Sequence, residues 1–290
     1  MRALAALALG LWLAFGGPAQ AEPLRFQTVA SSDGVPINVV EAGVRGKPAI
    51  VLIHGFSQSY MAWLPQLTDP ELTARYHLIA LDLRGHGASG KPWRARDYAS
   101  YRLWAGDVQA ALTATGAVRP VLIGWSFGGY AVMDYVRARG VKDIAGVMFV
   151  GSHGGLLPRP PANPPQITND LEVQRKAARD FMALMSAAPQ TPEAVARGED
   201  AFLMLPPYAR RAFAGRNLDN RDIASRLALP VRIVVGEKDP TVSAEGLATL
   251  ARTLPHGAEA TILPGVGHSP FAERTSDFNA LLAAFRDAHP

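Results

Sequence analysis

Apolar positions in this chain fall into two alternating patterns. Short continuous runs at 49–53, 77–82, 120–124, 144–150, 231–235 and 259–263 are rich in Val, Ile and Leu. They read as strands buried on both faces. Between them, segments near 60–73, 98–115, 127–139, 243–253 and 276–288 have helical character. Ahead of these, 25–30 and 37–41 flank the turn Ser32-Asp33-Gly34 and predict an antiparallel pair. Eight strands alternating with helices predict an α/β protein with a mostly parallel sheet covered on both faces. Right-handed crossovers then gather the loops after the parallel strands on one edge.

One interval breaks the rhythm. Between Val150 and Pro230 no buried-strand run occurs. It opens on a proline-rich stretch, 158–165, of extended character. Helical patterns follow at 170–185, with Asn169 as the cap, and at 192–203, with Thr191 as the cap and Pro192 in the first turn. A third piece covers 208–214, and 222–227 returns to the core. The reading is a small helical cap, 152–221, inserted above the carboxyl edge of the sheet. Its apolar side chains Phe181, Met182, Met185, Phe202, Met204 and Leu205 are candidates for lining a pocket, with Phe181 and Met185 foremost.

Composition narrows the class. The chain has 290 residues, 48% hydrophobic and 19% charged, enough for one large core. Residues 1–21 stand apart from that core. A basic start, Met1-Arg2, precedes an apolar stretch too short for a comfortable membrane span, and Ala19-Gln20-Ala21 ends it. This pattern predicts an export signal cut before Glu22, a mature domain at 22–290 and a periplasmic location. With no cysteine, a lipoprotein anchor and disulfides are excluded. The net charge is +4, but the basic residues are scattered and form no stripe with aromatics, so nucleic acid is not the expected partner. No stable membrane anchor is expected either, and oligomeric state is not readable. No cysteine or paired-histidine ligand set appears, so neither a metal nor a cofactor is expected.

The candidate chemistry begins at Gly124-Trp125-Ser126-Phe127-Gly128, which follows the apolar run 120–123. A serine at a sharp strand-to-helix bend is exposed as a nucleophile, and small flanking residues let strand and helix approach. A serine hydroxyl needs a base, and the base needs an orienting acid. Of seven histidines, His268 lies in the glycine-rich loop after the last strand run. Asp239 lies in Gly236-Glu237-Lys238-Asp239-Pro240, just past the preceding strand run, with Glu237 as its rival. The chain order is then Ser126, Asp239, His268. The oxyanion needs two amides: Phe127 supplies one, and Gly55 lets the chain turn so that Phe56 supplies the other. With His268 as base, His54 reads as structural. Trp125, Trp63 and His153 join Phe181 and Met185 as pocket candidates.

The segments His54-Gly55-Phe56, Asp82-Leu83-Arg84-Gly85-His86-Gly87, Gly124-Trp125-Ser126-Phe127-Gly128-Gly129, Gly236-Glu237-Lys238-Asp239 and Gly265-Val266-Gly267-His268 resemble the α/β-hydrolase superfamily. The resemblance leans to its single-domain esterase and cofactor-free haloperoxidase-like branch and spans about 25–288. It implies that Asp82, Arg84 and His86 are structural. It also implies a carboxylic-ester hydrolase working through an acyl-enzyme. Dehalogenases and epoxide hydrolases of this fold use an aspartate nucleophile, and position 126 is serine. Lactonase, carbon–carbon hydrolase and acyltransferase activity stay open on the same triad. Cofactor-free peroxidase activity is lowered, because Ser57 stands where that branch favours proline. A non-catalytic binding module would have lost a triad member, and all three are present.

Overall fold

The structure is a computed structural model, and it describes residues 23–158, 167–214 and 216–290. The segment read as an export signal and most of the proline-rich stretch lie outside these residues. The strands are β1 (Arg25–Ala30), β2 (Pro36–Gly43), β3 (Ala49–Ile53), β4 (His77–Leu81), β5 (Val121–Trp125), β6 (Gly146–Val150), β7 (Val231–Gly236) and β8 (Glu259–Leu263). They form one sheet in the order β1-β2-β4-β3-β5-β6-β7-β8. The pairs β1–β2 and β2–β4 are antiparallel, and every later pair is parallel. The eight-stranded, mostly parallel sheet expected from the pattern is therefore present.

The helices are α1 (Leu64–Leu67), α2 (Pro70–Arg75), α3 (Arg96–Ala99), α4 (Tyr101–Thr115), α5 (Phe127–Arg139), α6 (Leu171–Ala183), α7 (Pro192–Met204), α8 (Pro207–Ala214), α9 (Ala244–Thr253), α10 (Pro270–Glu273) and α11 (Thr275–Ala288). Strand side chains alternate between two apolar layers. In β3, Ala49, Val51 and Ile53 share a cluster with residues of α4, α5 and α9, whereas Ile50 and Leu52 join Trp63, Leu72 and Phe278 on the other face. Burial on both faces explains why the strands read as continuous apolar runs. Each fully buried Val, Leu or Ile contributes about 1.5–3 kcal/mol over its exposed state.

Three expectations change in detail. The helix expected over 60–73 is a 3-10 turn (Tyr60–Trp63), then α1, then α2. Pro70 cannot donate to a preceding turn and pushes Asp69 into extended backbone, where its carboxylate caps α2 by accepting from the Leu72 amide. The stretch 98–115 breaks at Ser100, whose hydroxyl caps α4. In the insertion, Asp170 and not Asn169 caps α6, accepting from the amides of Glu172 and Val173.

The order of strands reverses at β3, which leads to β4 on one side while β5 lies on the other. The loops after β3 and β5 therefore flank a topological switch point, where open α/β sheets leave a crevice. The turn 82–89 beside it is tied down from within. Asp82 accepts from the Tyr60 amide at 2.7 Å, the Ala88 amide at 2.8 Å and Asn38 Nδ2 at 2.9 Å. Arg84, with no exposed surface, donates Nε and Nη2 to Asp107 at 2.7 and 2.6 Å and Nη1 to Asp33 at 2.9 Å.

Candidate active site

Ser126 occupies the bend between β5 and α5 with φ 51 and ψ −116. A non-glycine residue there is strained by roughly 1–3 kcal/mol and persists only if its surroundings hold it. They do: the Ser126 amide donates to Val150 O at 2.9 Å, and its carbonyl accepts from the Gly129 amide at 3.0 Å and Ser152 Oγ at 2.7 Å. The flanking glycines are a steric requirement. A Cβ on Gly128 would stand 2.3 Å from Ile53 O, and one on Gly124 would stand 2.7 Å from Gly129 Cα. Phe127 begins α5, so its amide lies in the first turn, where backbone N–H groups have no intrahelical acceptor.

Asp239 and His268 are brought together from the loops after β7 and β8. His268 Nδ1 is 2.7 Å from Asp239 Oδ2, and the two side chains are 2% and 0% exposed. Trp125 Nε1 donates to His268 O at 2.8 Å, tying the residue before Ser126 to the histidine loop. The chain after β6 touches the same pair, since a Cβ on Gly151 would stand 3.0 Å from both Asp239 Oδ2 and His268 Nδ1. Glu237, the rival acid, instead accepts from the Gly265 amide.

After β3, the loop through Phe56 turns back on itself, with the Gln58 amide donating to Gly55 O at 3.2 Å. His54, fully buried, organises this loop. Its Nε2 accepts from the Leu83 amide at 3.0 Å, so Nδ1 carries the proton and donates to Gly55 O at 2.7 Å. Burial holds His54 below the ordinary histidine range. Burial also holds His86 well below it, with nearby His54 adding to the effect. Both rings are therefore neutral supports at neutral pH. Ser57 has φ 55. Proline is confined to φ near −65°, so this loop conformation excludes it at that position.

The pocket candidates separate. Trp125 and Met185 line a cavity of about 300 Å³, together with Gln58, Met182, Ser269 and Phe271. Trp63 does not line it. It is fully buried under Phe271 and Phe278, at ring distances of 4.4 and 6.2 Å, because its 3-10 turn directs it into the layer below the sheet. Phe181 is half-buried against Phe202 at 5.4 Å. His153 Nε2 lies 3.3 Å from Tyr130 Oη, and its Nδ1 accepts from the Gly155 amide at 3.1 Å. A larger polar cavity, about 560 Å³, lies two to three turns along α5 from Ser126, lined by Asp134, Arg137 and Asp222. Among the described residues, no group of three or more His, Asp or Glu is gathered as a metal would require.

Two contributors have no motif in the sequence. Thr241 Oγ1 lies 2.8 Å from Asp239 Oδ1 and 2.8 Å from His268 Nδ1. Glu273 accepts from the Gly267 amide at 3.0 Å and the Ala187 amide at 2.8 Å, joining the histidine loop to the α6–α7 connection. A hydroxyl in the loop after a strand and a carboxylate in the last turn of a short helix are the only local signals for the two. Phe213 of α8 inserts among Phe56, His86, Tyr98, Trp104 and Phe127, at ring distances of 5.2–5.8 Å.

Comparison with known proteins agrees with this architecture. Over residues 50–281 the chain matches the family model described as the alpha/beta hydrolase family. A candidate aryl esterase from Burkholderia cenocepacia superposes with a TM-score of 0.82 at 32% identity, covering 90% of this chain and 97% of that one. An esterase from Rhodococcus sp. ECU1013 gives 0.78 at 29% identity, covering 91% and 99%. Epoxide hydrolase A of Mycobacterium tuberculosis is 36% identical over 111 residues, 37% of this chain and 33% of that protein. The matched stretches span about a third or less of the length of the curated epoxide hydrolases. The fold, its topological switch point and the match over most of its length make this chain a member of the alpha/beta hydrolase family.

Proposed function

We propose that this hydrolase cleaves carboxylic esters with small to medium apolar acyl groups, using Ser126, His268 and Asp239. The observation that carries the reading is the strained Ser126 at the β5–α5 bend, on the same sheet edge as the hydrogen-bonded Asp239–His268 pair. In the proposed reaction, His268 Nε2 takes the Ser126 hydroxyl proton as Oγ attacks the ester carbonyl. The amides of Phe56 and Phe127 hold the oxyanion. Loss of one such donor typically costs about 2.7–4 kcal/mol. The proton on Nε2 then passes to the alcohol oxygen as the C–O bond breaks, leaving acyl-Ser126. Water gives a proton to His268 and attacks the acyl carbon. Collapse releases the acid and returns the proton to Ser126. Asp239 orients the imidazole and balances its transient charge.

Helices α6–α8 within 152–221 are the proposed cap over the substrate, with Trp125 and Met185 at the apolar cavity. The two solved structures described as esterases favour an ester over other acyl bonds. The same proposal includes export directed by residues 1–21. A second reading, epoxide opening, has the curated relatives in its favour. Against it stands serine at 126, where epoxide-opening members of the fold use aspartate.

The test is hydrolysis of p-nitrophenyl esters from acetate to palmitate, and of an aryl epoxide, by the protein and its Ser126→Ala variant. Ester turnover lost in the variant is the expected result. Epoxide opening without ester turnover, or equal ester rates in both proteins, overturns the proposal.

A further inference from the structure

Gln58 carries a buried carboxamide with little to bind. It is 5% exposed, and its Nε2 donates to Met182 Sδ at 3.7 Å, a weak acceptor. Among the described residues its Oε1 accepts no hydrogen bond. The side chain lines the cavity of about 300 Å³, whose walls are mostly apolar, with Met61, Pro65, Met185 and Phe271 among them. Other polar residues of the lining are engaged elsewhere. Gln190 donates to Met182 O at 2.7 Å, Thr191 caps α7, and Glu273 accepts from the Gly267 and Ala187 amides. Ser186 donates to Ala188 O, and Arg197 is exposed to water. Ser269, 7% exposed, stands with Gln58: its hydroxyl does not cap α10 and has no other partner among the described residues. A buried polar group without a partner is costly to the fold. Two of them line one small, mostly apolar cavity, which is the pattern of a binding pocket.

The cavity adjoins the reacting groups without containing them. The Gln58 amide closes the turn onto Gly55 O at 3.2 Å, and a Cβ on Gly55 would stand 3.2 Å from both Ser126 Cβ and Trp125 Cε3. Trp125 directly precedes Ser126 and Ser269 directly follows His268, and both line the cavity, whereas Ser126 and His268 do not. The space is therefore placed for a part of the substrate a few atoms from the scissile bond. We propose that Gln58 is a specificity-determining residue, selecting esters whose otherwise apolar acyl chain carries one group that both donates and accepts a hydrogen bond, a secondary amide or a hydroxyl. This inference rests on the ester-hydrolase reading above. The donor of that group meets Gln58 Oε1, and the Ser269 hydroxyl is free to serve its acceptor. A plain alkyl chain leaves both residues unpaired, and a carboxylate has no proton for Oε1. About 300 Å³ is at the small end of ligand cavities, which suits a short chain.

The test compares three methyl esters of equal chain length by pH-stat: heptanoate, 3-hydroxyheptanoate and N-butyrylglycinate. The full chain, Gln58→Met, Gln58→Leu and, for background, Ser126→Ala are used. Methionine keeps the length of the side chain and removes its carboxamide. The parent is expected to favour at least one polar ester over heptanoate in kcat/KM, and the two polar arms tell which group the site takes. In Gln58→Met and Gln58→Leu that ratio is expected to fall about 10- to 100-fold, the range for losing a hydrogen bond in a buried site. Intrinsic differences in ester reactivity cancel when the ratios of parent and variant are compared. A parent that favours heptanoate over both polar esters overturns the inference. So do Gln58 variants that keep the parent ratio, whether through unchanged rates or through equal losses on all three esters. A parent that cleaves p-nitrophenyl esters and none of the methyl esters overturns this inference alone. A parent inactive on the p-nitrophenyl series as well overturns the ester reading, and the role of Gln58 with it.

Discussion

The contact between Gly151 and the Asp239–His268 pair allows a controlled test of how tightly the site is packed. Gly151 has φ +51, and a methyl group there would stand 3.0 Å from Asp239 Oδ2, 3.0 Å from His268 Nδ1 and 3.1 Å from His268 Cε1. Those contacts are a few tenths of an ångström too close, so the pair must move. Gly34, in the β1–β2 turn, has φ +83 and open space around its would-be methyl. Alanine at either site imposes left-handed strain of about 1–2 kcal/mol, which lowers the melting temperature by about 2–8 °C in a protein of this size. Only Gly151→Ala displaces the Asp239–His268 pair. Misplacement of reacting groups on the ångström scale costs on the order of 100-fold in rate, and a shift of a few tenths is expected to cost about tenfold or more. The assay is kcat on a p-nitrophenyl ester at a temperature where both variants are folded, beside calorimetric melting. A melting loss in both variants, larger in Gly151→Ala through the added crowding, with a turnover loss confined to Gly151→Ala, is expected. Parent turnover in Gly151→Ala, or an equal loss in Gly34→Ala, refutes the reasoning.

Two further outcomes concern the scaffold. Asp107→Asn leaves the buried Arg84 charge with the half-exposed Asp33 as its ionic partner, and urea denaturation is expected to show a loss of about 3–5 kcal/mol with kcat of the folded enzyme unchanged. Stability is also expected to fall as pH drops below about 6.5, the ordinary histidine value. Burial holds His54, His77 and His86 below that range, so in this window the unfolded chain binds protons that the folded one does not. Each histidine then adds up to about 1.4 kcal/mol per pH unit to the slope. In urea midpoints between pH 7.5 and 5, His86→Phe, which keeps the stacking on Phe213, should remove about one proton's worth of slope; an unchanged slope would sink this account.

Much of the site was legible because its constraints are local. Glycine at 124 and 128 is required by backbone atoms within a few residues of Ser126 or on the adjacent strand, and such crowding leaves a mark in the sequence. Asp239 and His268 were legible through their position just past strand runs, which topology alone carries to one edge. Trp63 was misread for the opposite reason. Its nearness in sequence to Phe56 says nothing about which layer its side chain enters, and a 3-10 turn set that direction. The breaks at Ser100 and Pro70 had local signals, but helical composition on both sides masked them. Thr241 and Glu273 could not be found from spacing, because a single hydroxyl or carboxylate gains its meaning only from partners brought close by the fold. The Asp170 cap was missed by one residue: Asn169 and Asp170 are equally good caps, and only the start of the helical turn decides between them.

The aromatic cluster around Phe213 bears on how such enzymes diversify. A ring from the inserted segment packs against both Phe56 and Phe127, so the insertion is not a detachable module resting on a finished machine. Replacing 152–221 with the corresponding segment of another family member exchanges a ring packed against both loops, along with any residues that greet the substrate. Chimeras that keep an aromatic ring at position 213 should tolerate the exchange, and those that lose it should need matching changes at 56, 104 or 127. For an engineer, the joint between scaffold and insertion is part of the catalyst, and specificity cannot be transplanted without it.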